Sequence, residues 1–345
     1  MIDTATATVI ATVPAGANPY GVAITPDGSK AYITNVGSNN VSVIDTATNT
    51  ALGAIPVGSQ PLGVAITPDG SKVYVANDGG ASVSVIATVT NTVIATVVLG
   101  SPGNPNPVGV AVTPDGTKVY VGTGTPSSAN YVYVIATATD TVTATINIGF
   151  NAGPYGVVVT PDGSTVYVAL PNNDRHIPSV AVIDTASNTV ISTISNVAGP
   201  GAAITPDGSR LYVGNGNANT VSVIDTATNT VVSTISGITN PDGVAVTPDS
   251  AKVYVANPSI NTVSVIDTAT NTVVGSIPVG VNPVAFGNFI QPTPTFPGTP
   301  GDKNCHGTSV SALATKYGGL NISAAAWGFA KVQGLQDAIR VYCKR

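Results

Sequence analysis

Read for alternation, the chain from Tyr20 to Gly280 is a succession of short β-branched runs separated by polar turns. The first unit contains Tyr20-Gly21-Val22-Ala23-Ile24, Lys30-Ala31-Tyr32-Ile33-Thr34, Val41-Ser42-Val43-Ile44 and Ala51-Leu52-Gly53-Ala54-Ile55. Runs of this length bounded by Gly, Pro, Asn and Asp predict antiparallel strands, termed a, b, c and d below. The a–b junction is Thr25-Pro26-Asp27-Gly28. It returns with Asp69, Asp115, Asp162 and Asp207 in place of Asp27, and once more as Thr247-Pro248-Asp249-Ser250. Pro presets φ, Asp can bond the backbone ahead of it, and Gly accepts positive φ, so the motif predicts a tight turn. Its spacing of 42 to 47 residues and four strands per unit predict the blades of an all-β propeller.

Six complete blades fit between Tyr20 and Gly280. A seventh is partial. Asn282 to Ile290 resembles a strand a, Thr8 to Val13 a strand d, and Ile2-Asp3 the end of a strand c, while nothing matches strand b. A six-bladed ring with spare terminal strands is the alternative. Ile2-Asp3-Thr4-Ala5-Thr6 copies Ile44-Asp45-Thr46-Ala47-Thr48, so these residues are expected to belong to a repeat rather than to a signal peptide, with an upstream segment either removed or truncated. The propeller is assigned to 1–290 and a Pro/Gly/Thr-rich linker to 291–304. Residues 305–345 carry helical spacing over Ser309 to Tyr317, Ile322 to Phe329 and Val332 to Tyr342. So small a module needs a staple, and Cys305 and Cys343, which bracket it, are expected to form a disulfide.

Composition narrows the function classes. Charged residues are 8% of the chain, the net charge is −5, and all 17 acids are aspartate. An acidic chain is a poor nucleic-acid binder, and no apolar run is long enough to span a membrane. Residues 1–300 hold fifteen acids against six bases, whereas the last 45 residues carry a net +4, which suits contact with an anionic cell-envelope polymer. Eleven aspartates of the propeller fall in two repeated turns. Asp27, Asp69, Asp115, Asp162, Asp207 and Asp249 are accordingly read as turn formers. Lys30, Lys72, Lys118, Arg210 and Lys252 share one position at the start of strand b and read as solvated turn residues. Tyr32, Tyr74, Tyr120, Tyr167, Tyr212 and Tyr254 occupy one strand-b position and read as inter-blade packing. Asp140 reads as a turn variant, standing where other blades have asparagine.

In an a-b-c-d blade the repeated turns lie on one face and the b–c and d–a loops on the other. The irregular loops, 100–107, 122–130 and 170–178, all fall on the second face in neighbouring blades. Recognition usually sits on such loops. Asn104, Asn106, Ser127, Asn130, Tyr131, Asn173, Asp174, Arg175 and His176 are the candidate interaction surface. Asp174 and His176 lack a nucleophile or second carboxylate, so no catalytic residue is assigned. Asn77-Asp78-Gly79-Gly80 and Asn172-Asn173-Asp174 offer oxygen ligands to Ca²⁺ without the spacing of a known loop, so no metal or cofactor is expected. Cys305, His306 and Cys343 make too few ligands for a structural zinc site.

Lys72-Val73-Tyr74-Val75-Ala76-Asn77 and Val221-Ser222-Val223-Ile224-Asp225-Thr226 resemble the YVTN-family β-propeller repeat, over residues 1 to about 290. The resemblance implies a surface-layer-like or secreted scaffold of bacteria or archaea, outside the cell or in the periplasm. The expected function is non-enzymatic binding of a protein or glycan through the irregular face. A lactonase-like hydrolase or lyase with its site at the central channel mouth is one alternative. It would require ionisable side chains converging at the inner ends of several blades, where the strand-a segments are mostly apolar or small. A structural coat or adhesive protein is the other.

Overall fold

The computed structural model describes residues 1–100, 105–124, 129–150, 153–171, 178–197, 199–285, 287, 289–290 and 339. Six four-stranded antiparallel sheets follow one another along the chain, each with its strands in sequence order. In the first blade strand a is Pro19–Ile24, b Lys30–Asn35, c Asn40–Asp45 and d Thr50–Pro56. The alternation seen in the sequence extends one residue further at most ends. The predicted β-propeller is the observed fold. The linker at 291–304 and the cysteine pair Cys305–Cys343 lie outside the described residues. Of the tail, Ile339 alone is described, and it is helical and fully buried.

The Thr-Pro-Asp turn works as a small network. Thr25 Oγ1 donates to Asp27 Oδ1 at 2.7 Å and accepts from the Lys30 amide at 3.0 Å, while Asp27 Oδ1 takes the Ser29 amide at 3.0 Å. The Thr hydroxyl is the main influence holding Asp69, Asp115, Asp162, Asp207 and Asp249 below the usual carboxylate range. These carboxylates build turns. The c–d turn lies on the same face, because Thr88 Oγ1 donates to the Gly70 carbonyl at 2.6 Å and Thr185 Oγ1 to that of Gly163 at 2.6 Å.

Blades meet through strand b. The tyrosines there are buried, and in five seams the hydroxyl reaches the c–d turn of the following blade. Tyr32 donates to Asn91 Oδ1 at 2.7 Å, Tyr120 to Asn188 Oδ1 at 2.8 Å, Tyr167 to Asn229 Oδ1 at 2.8 Å and Tyr212 to Asn271 Oδ1 at 3.2 Å. Burial pushes the Tyr32 and Tyr120 phenols up to about 12. At the seam of blades two and three, Asp140 Oδ1 takes the Tyr74 hydroxyl at 2.5 Å and Asp140 Oδ2 takes Lys72 Nζ at 2.7 Å. The strand-b lysines are therefore not merely solvated turn residues. Lys30 Nζ and Lys118 Nζ also cross to the next blade, donating to the carbonyls of Thr88 at 3.1 Å and Thr185 at 2.7 Å. Asp140 is an inter-blade clamp as well as a turn variant.

At the centre the inner strands approach so closely that only glycine fits. A Cβ on Gly63 would lie 2.1 Å from the Val108 carbonyl oxygen, and one on Gly109 2.0 Å from that of Tyr155. The chain's two ends occupy a seventh position. A Cβ on Gly243 would lie 1.7 Å from the Ala285 oxygen, and one on Gly287 2.6 Å from the Val22 oxygen, so Ala285 and Gly287 bridge blades six and one. The hairpin of β1 (Ile2–Asp3) and β2 (Thr8–Val9) pairs Ile2 with Val9 and Asp3 with Thr8, the register of a c–d pair. Tyr254 then donates to the Thr4 carbonyl at 3.2 Å. The predicted strand over Thr8 to Val13 stops at Val9, because β1 offers only two residues to pair with. None of the described residues in 282–290 forms a strand, since no described strand b stands beside them.

Two outcomes follow from the turn and the seam. Ser250 holds φ 60° where the other five turns have glycine at φ 70° to 74°. Ser250→Gly should raise stability by about 0.5–1 kcal/mol by relieving left-handed strain, read from urea denaturation. Asp140→Ala should lose about 1–3 kcal/mol by removing the shared acceptor, and Asp140→Asn distinctly less, since asparagine serves that role in four other seams.

Candidate functional site

A cavity of about 530 Å³ runs along the axis, walled by the inner strands. Tyr20 and Tyr155 line one end, Pro26, Pro206 and Pro248 the other, and the wall between is apolar, as at Val64, Val110 and Val157. The tyrosine end belongs to the d–a and b–c loops, which is the face the sequence assigns to recognition.

The mouth is built from one repeat position and one loop. Tyr20, Tyr155 and Asp242 each precede the glycine that opens the inner strand, Gly21, Gly156 and Gly243, where blades two, three and five have Leu62, Val108 and Pro200. The close approach at those glycines fixes the backbone there, and Tyr20 and Tyr155 line the opening. Asp78 opens the b–c loop of blade two, its amide donating to the Gln60 carbonyl at 3.0 Å.

Electrostatics tie these four groups together. Burial raises the Tyr20 phenol far above its ordinary value, followed by the charge of Asp242, of Tyr155 and of Asp78. Burial also raises Tyr155, assisted by Asp78 and Asp242. Both phenols thus stand in the field of both carboxylates. The carboxylates are themselves desolvated, Asp78 being raised by burial and Asp242 pushed up to about 6. Asp242 Oδ1 is buried without a hydrogen-bond partner. Desolvated, unsatisfied carboxylate oxygen beside phenol is an arrangement that gains from an incoming hydrogen-bond donor.

The expected surface residues fare unevenly. Asn104, Ser127, Asn173, Asp174, Arg175 and His176 lie outside the described residues. Asn106 is half-buried in the d–a loop, its carbonyl accepting from the Gly124 amide at 3.2 Å. Asn130 overturns the expectation of exposure. It is fully buried, against Gly124. Tyr131 is half-buried edge-on against Tyr133, with ring centroids 6.4 Å apart. In the loop weighed for Ca²⁺, Asn77 is fully buried and its Nδ2 donates to Ser82 Oγ at 3.2 Å and Ser84 Oγ at 2.9 Å. Among the described residues no group of three His, Cys, Asp or Glu comes together. None of their helices is long and apolar enough to cross a membrane.

The mouth cluster escaped the sequence reading, although a signal existed. Asp78 and Asp242 stand outside both repeated turns, and Asp242 shares its frame with Tyr20 and Tyr155.

These features define a β-propeller with a polar site at one end of an apolar axial channel. No protein-family profile matches the chain, and no curated protein matches it. Among solved structures it is similar to a chain of hydrazine synthase from Kuenenia stuttgartiensis, with a TM-score of 0.70 and 24% identity, over 78% of this chain and 88% of that one. A likeness at that identity concerns the fold.

The buried carboxyl gives a pH signature. Asp242 has a folded pKa of about 6 against an ordinary value of 3.8. The folded state therefore holds the proton over a range where the unfolded chain has released it, and stability falls as pH rises from about 4 to about 6. That share of the pH dependence, on the order of 3 kcal/mol, should vanish in Asp242→Asn, measured by denaturation at pH values of about 4 and about 7.

Proposed function

We propose that the chain is a non-catalytic propeller that binds a glycan or protein ligand on its b–c/d–a loop face, anchored at the channel mouth. The observation that supports this reading most is that Tyr20 and Tyr155, which line one end of the channel, both stand in the field of Asp78 and Asp242, on the face that also carries the irregular loops. A glycan suits the chemistry best. Phenol rings pack on sugar C–H faces, and carboxylates accept strong hydrogen bonds from hydroxyl groups. The loops of blades two to four then set selectivity around this anchor. The resemblance to YVTN repeats and the cysteine pair support a location outside the cytoplasm, with residues 305–345 as an attachment module.

Glycan-array binding followed by titration tests the reading. Tyr20→Ala and Tyr155→Ala should each weaken the best ligand by more than about tenfold, from the loss of a buried aromatic contact. Unchanged affinity in both variants would remove the anchor.

One observation favours a second reading. A carboxyl with a pKa of about 6 in a desolvated site can act as a general acid or base, which suits a hydrolase or lyase. Turnover of a bound saccharide or lactone by wild type, abolished in Asp242→Asn while binding persists, would select catalysis over simple recognition.

A further inference from the structure

A ligand held on the loops alone makes no use of the channel below the mouth. At about 530 Å³ that channel is of small-molecule size. Its wall presents mostly apolar side chains and inner-strand glycines, among them Val64, Val110, Val157, Gly63 and Gly109. Such a wall attracts by dehydration and dispersion, so what it selects is a hydrocarbon stem.

The contacts around the axis place the groups at its entrance. In blades two to six the residue before the inner-strand glycine sets its carbonyl against the glycine of the preceding blade. A Cβ on Gly109 would lie 2.0 Å from the Tyr155 oxygen and one on Gly201 1.9 Å from the Asp242 oxygen. Leu62, Val108 and Pro200 make the same contact at Gly21, Gly63 and Gly156. Asp242 therefore holds the ring position of Tyr155, two blades on, and Tyr20 follows past the place taken by Ala285. Both tyrosines line the channel end. After burial the Asp242 carboxylate is the strongest influence on the Tyr20 phenol, and both Asp78 and Asp242 act on Tyr155.

The charge balance of the two ends differs. Among the described residues the tyrosine end carries no Lys or Arg. Lys30, Lys72, Lys118, Arg210 and Lys252 all start strand b, on the opposite face. There the turn carboxylates already accept Thr hydroxyls and backbone amides, as at Asp27 and Asp69. At the tyrosine end Asp242 Oδ1 is buried without a hydrogen-bond partner. Phenols beside desolvated carboxylates suit a cation, and an ammonium group brings up to three hydrogen-bond donors as well. We propose that the axial channel binds an amphipathic cation, with its ammonium group at Tyr20, Tyr155 and Asp242 and its apolar stem between the inner strands. This site goes beyond the loop-face reading and requires no glycan.

Isothermal titration of the full chain with octylammonium, hexylammonium and octanoate tests it. Octylammonium should bind saturably, and hexylammonium roughly tenfold more weakly for the loss of two buried methylenes. Octanoate, the same length of stem with the opposite charge, should show no uptake. Asp242→Asn should weaken octylammonium roughly tenfold by removing the charged acceptor. Equal affinity for the two amines would remove the stem from the channel, and equal affinity for octanoate would remove the ammonium site. Either result overturns the proposal. So would no uptake of octylammonium, the result expected if Arg175 or a base of residues 291–345, all outside the described residues, already fills the mouth. Glycan titration of Tyr20→Ala and Tyr155→Ala is read separately, so the loop-face reading can fail while the channel site stands.

Discussion

The structure depends on a buried tyrosine that reaches out of its own blade. A propeller blade has one face to bury on each side, and packing alone leaves blades free to slide. The strand-b phenol removes that freedom, because its hydroxyl must find the c–d turn of the next blade or remain unsatisfied. Each such bond contributes about 1 kcal/mol net. The cost of leaving it unmade is larger, and that asymmetry sets the angle between blades. The lysine two residues earlier repeats the constraint at the rim in three seams.

Turns, strands and faces were legible in the sequence because each is a local property repeated six times. Thr-Pro-Asp-Gly dictates a turn wherever it occurs, and the alternation of Val-Tyr-Val dictates which side chains meet a neighbour. Seam chemistry was legible only in part. Tyr74 could be assigned to packing, but its partner Asp140 lies 66 residues away, and no local pattern announces such a contact. Asn130 shows the opposite error. Polar residues in an irregular loop suggest exposure, yet the backbone at Gly124 folds over this one. The channel mouth was hard to read for a related reason, although Asp78 and Asp242 stand outside both repeated turns. Tyr20, Asp78, Tyr155 and Asp242 belong to four different blades, and only closure of the ring brings them together.

Closure also explains why the two ends of the chain behave differently from its middle. Inner segments are held by the glycine contacts, so Ala285 and Gly287 take their place at the axis without forming a ladder. The outer hairpin is held by two paired residues and by the bond from Tyr254. Between them the described ring is continuous at its centre and interrupted at mid-radius. On blade one Ala31, Ile33 and Ile44 remain buried, and the Oδ1 of Asn49 is buried without a hydrogen-bond partner.

Departure from the repeat is therefore informative only when combined with position. Four propeller aspartates, Asp78, Asp140, Asp174 and Asp242, fall outside the two turn frames. At a seam the departure becomes architecture, since Asp140 takes the role of asparagine and gathers a lysine besides. At the mouth the same side chain has no seam to serve. Asp242 sits at the inner end of a strand, desolvated by the closed ring, with an oxygen that no group in the described structure satisfies. A carboxylate that stabilised the fold would be expected to have its pKa lowered, as the turn aspartates have. Its pKa is raised instead, by burial, so at neutral pH the charged form weakens the fold that holds it.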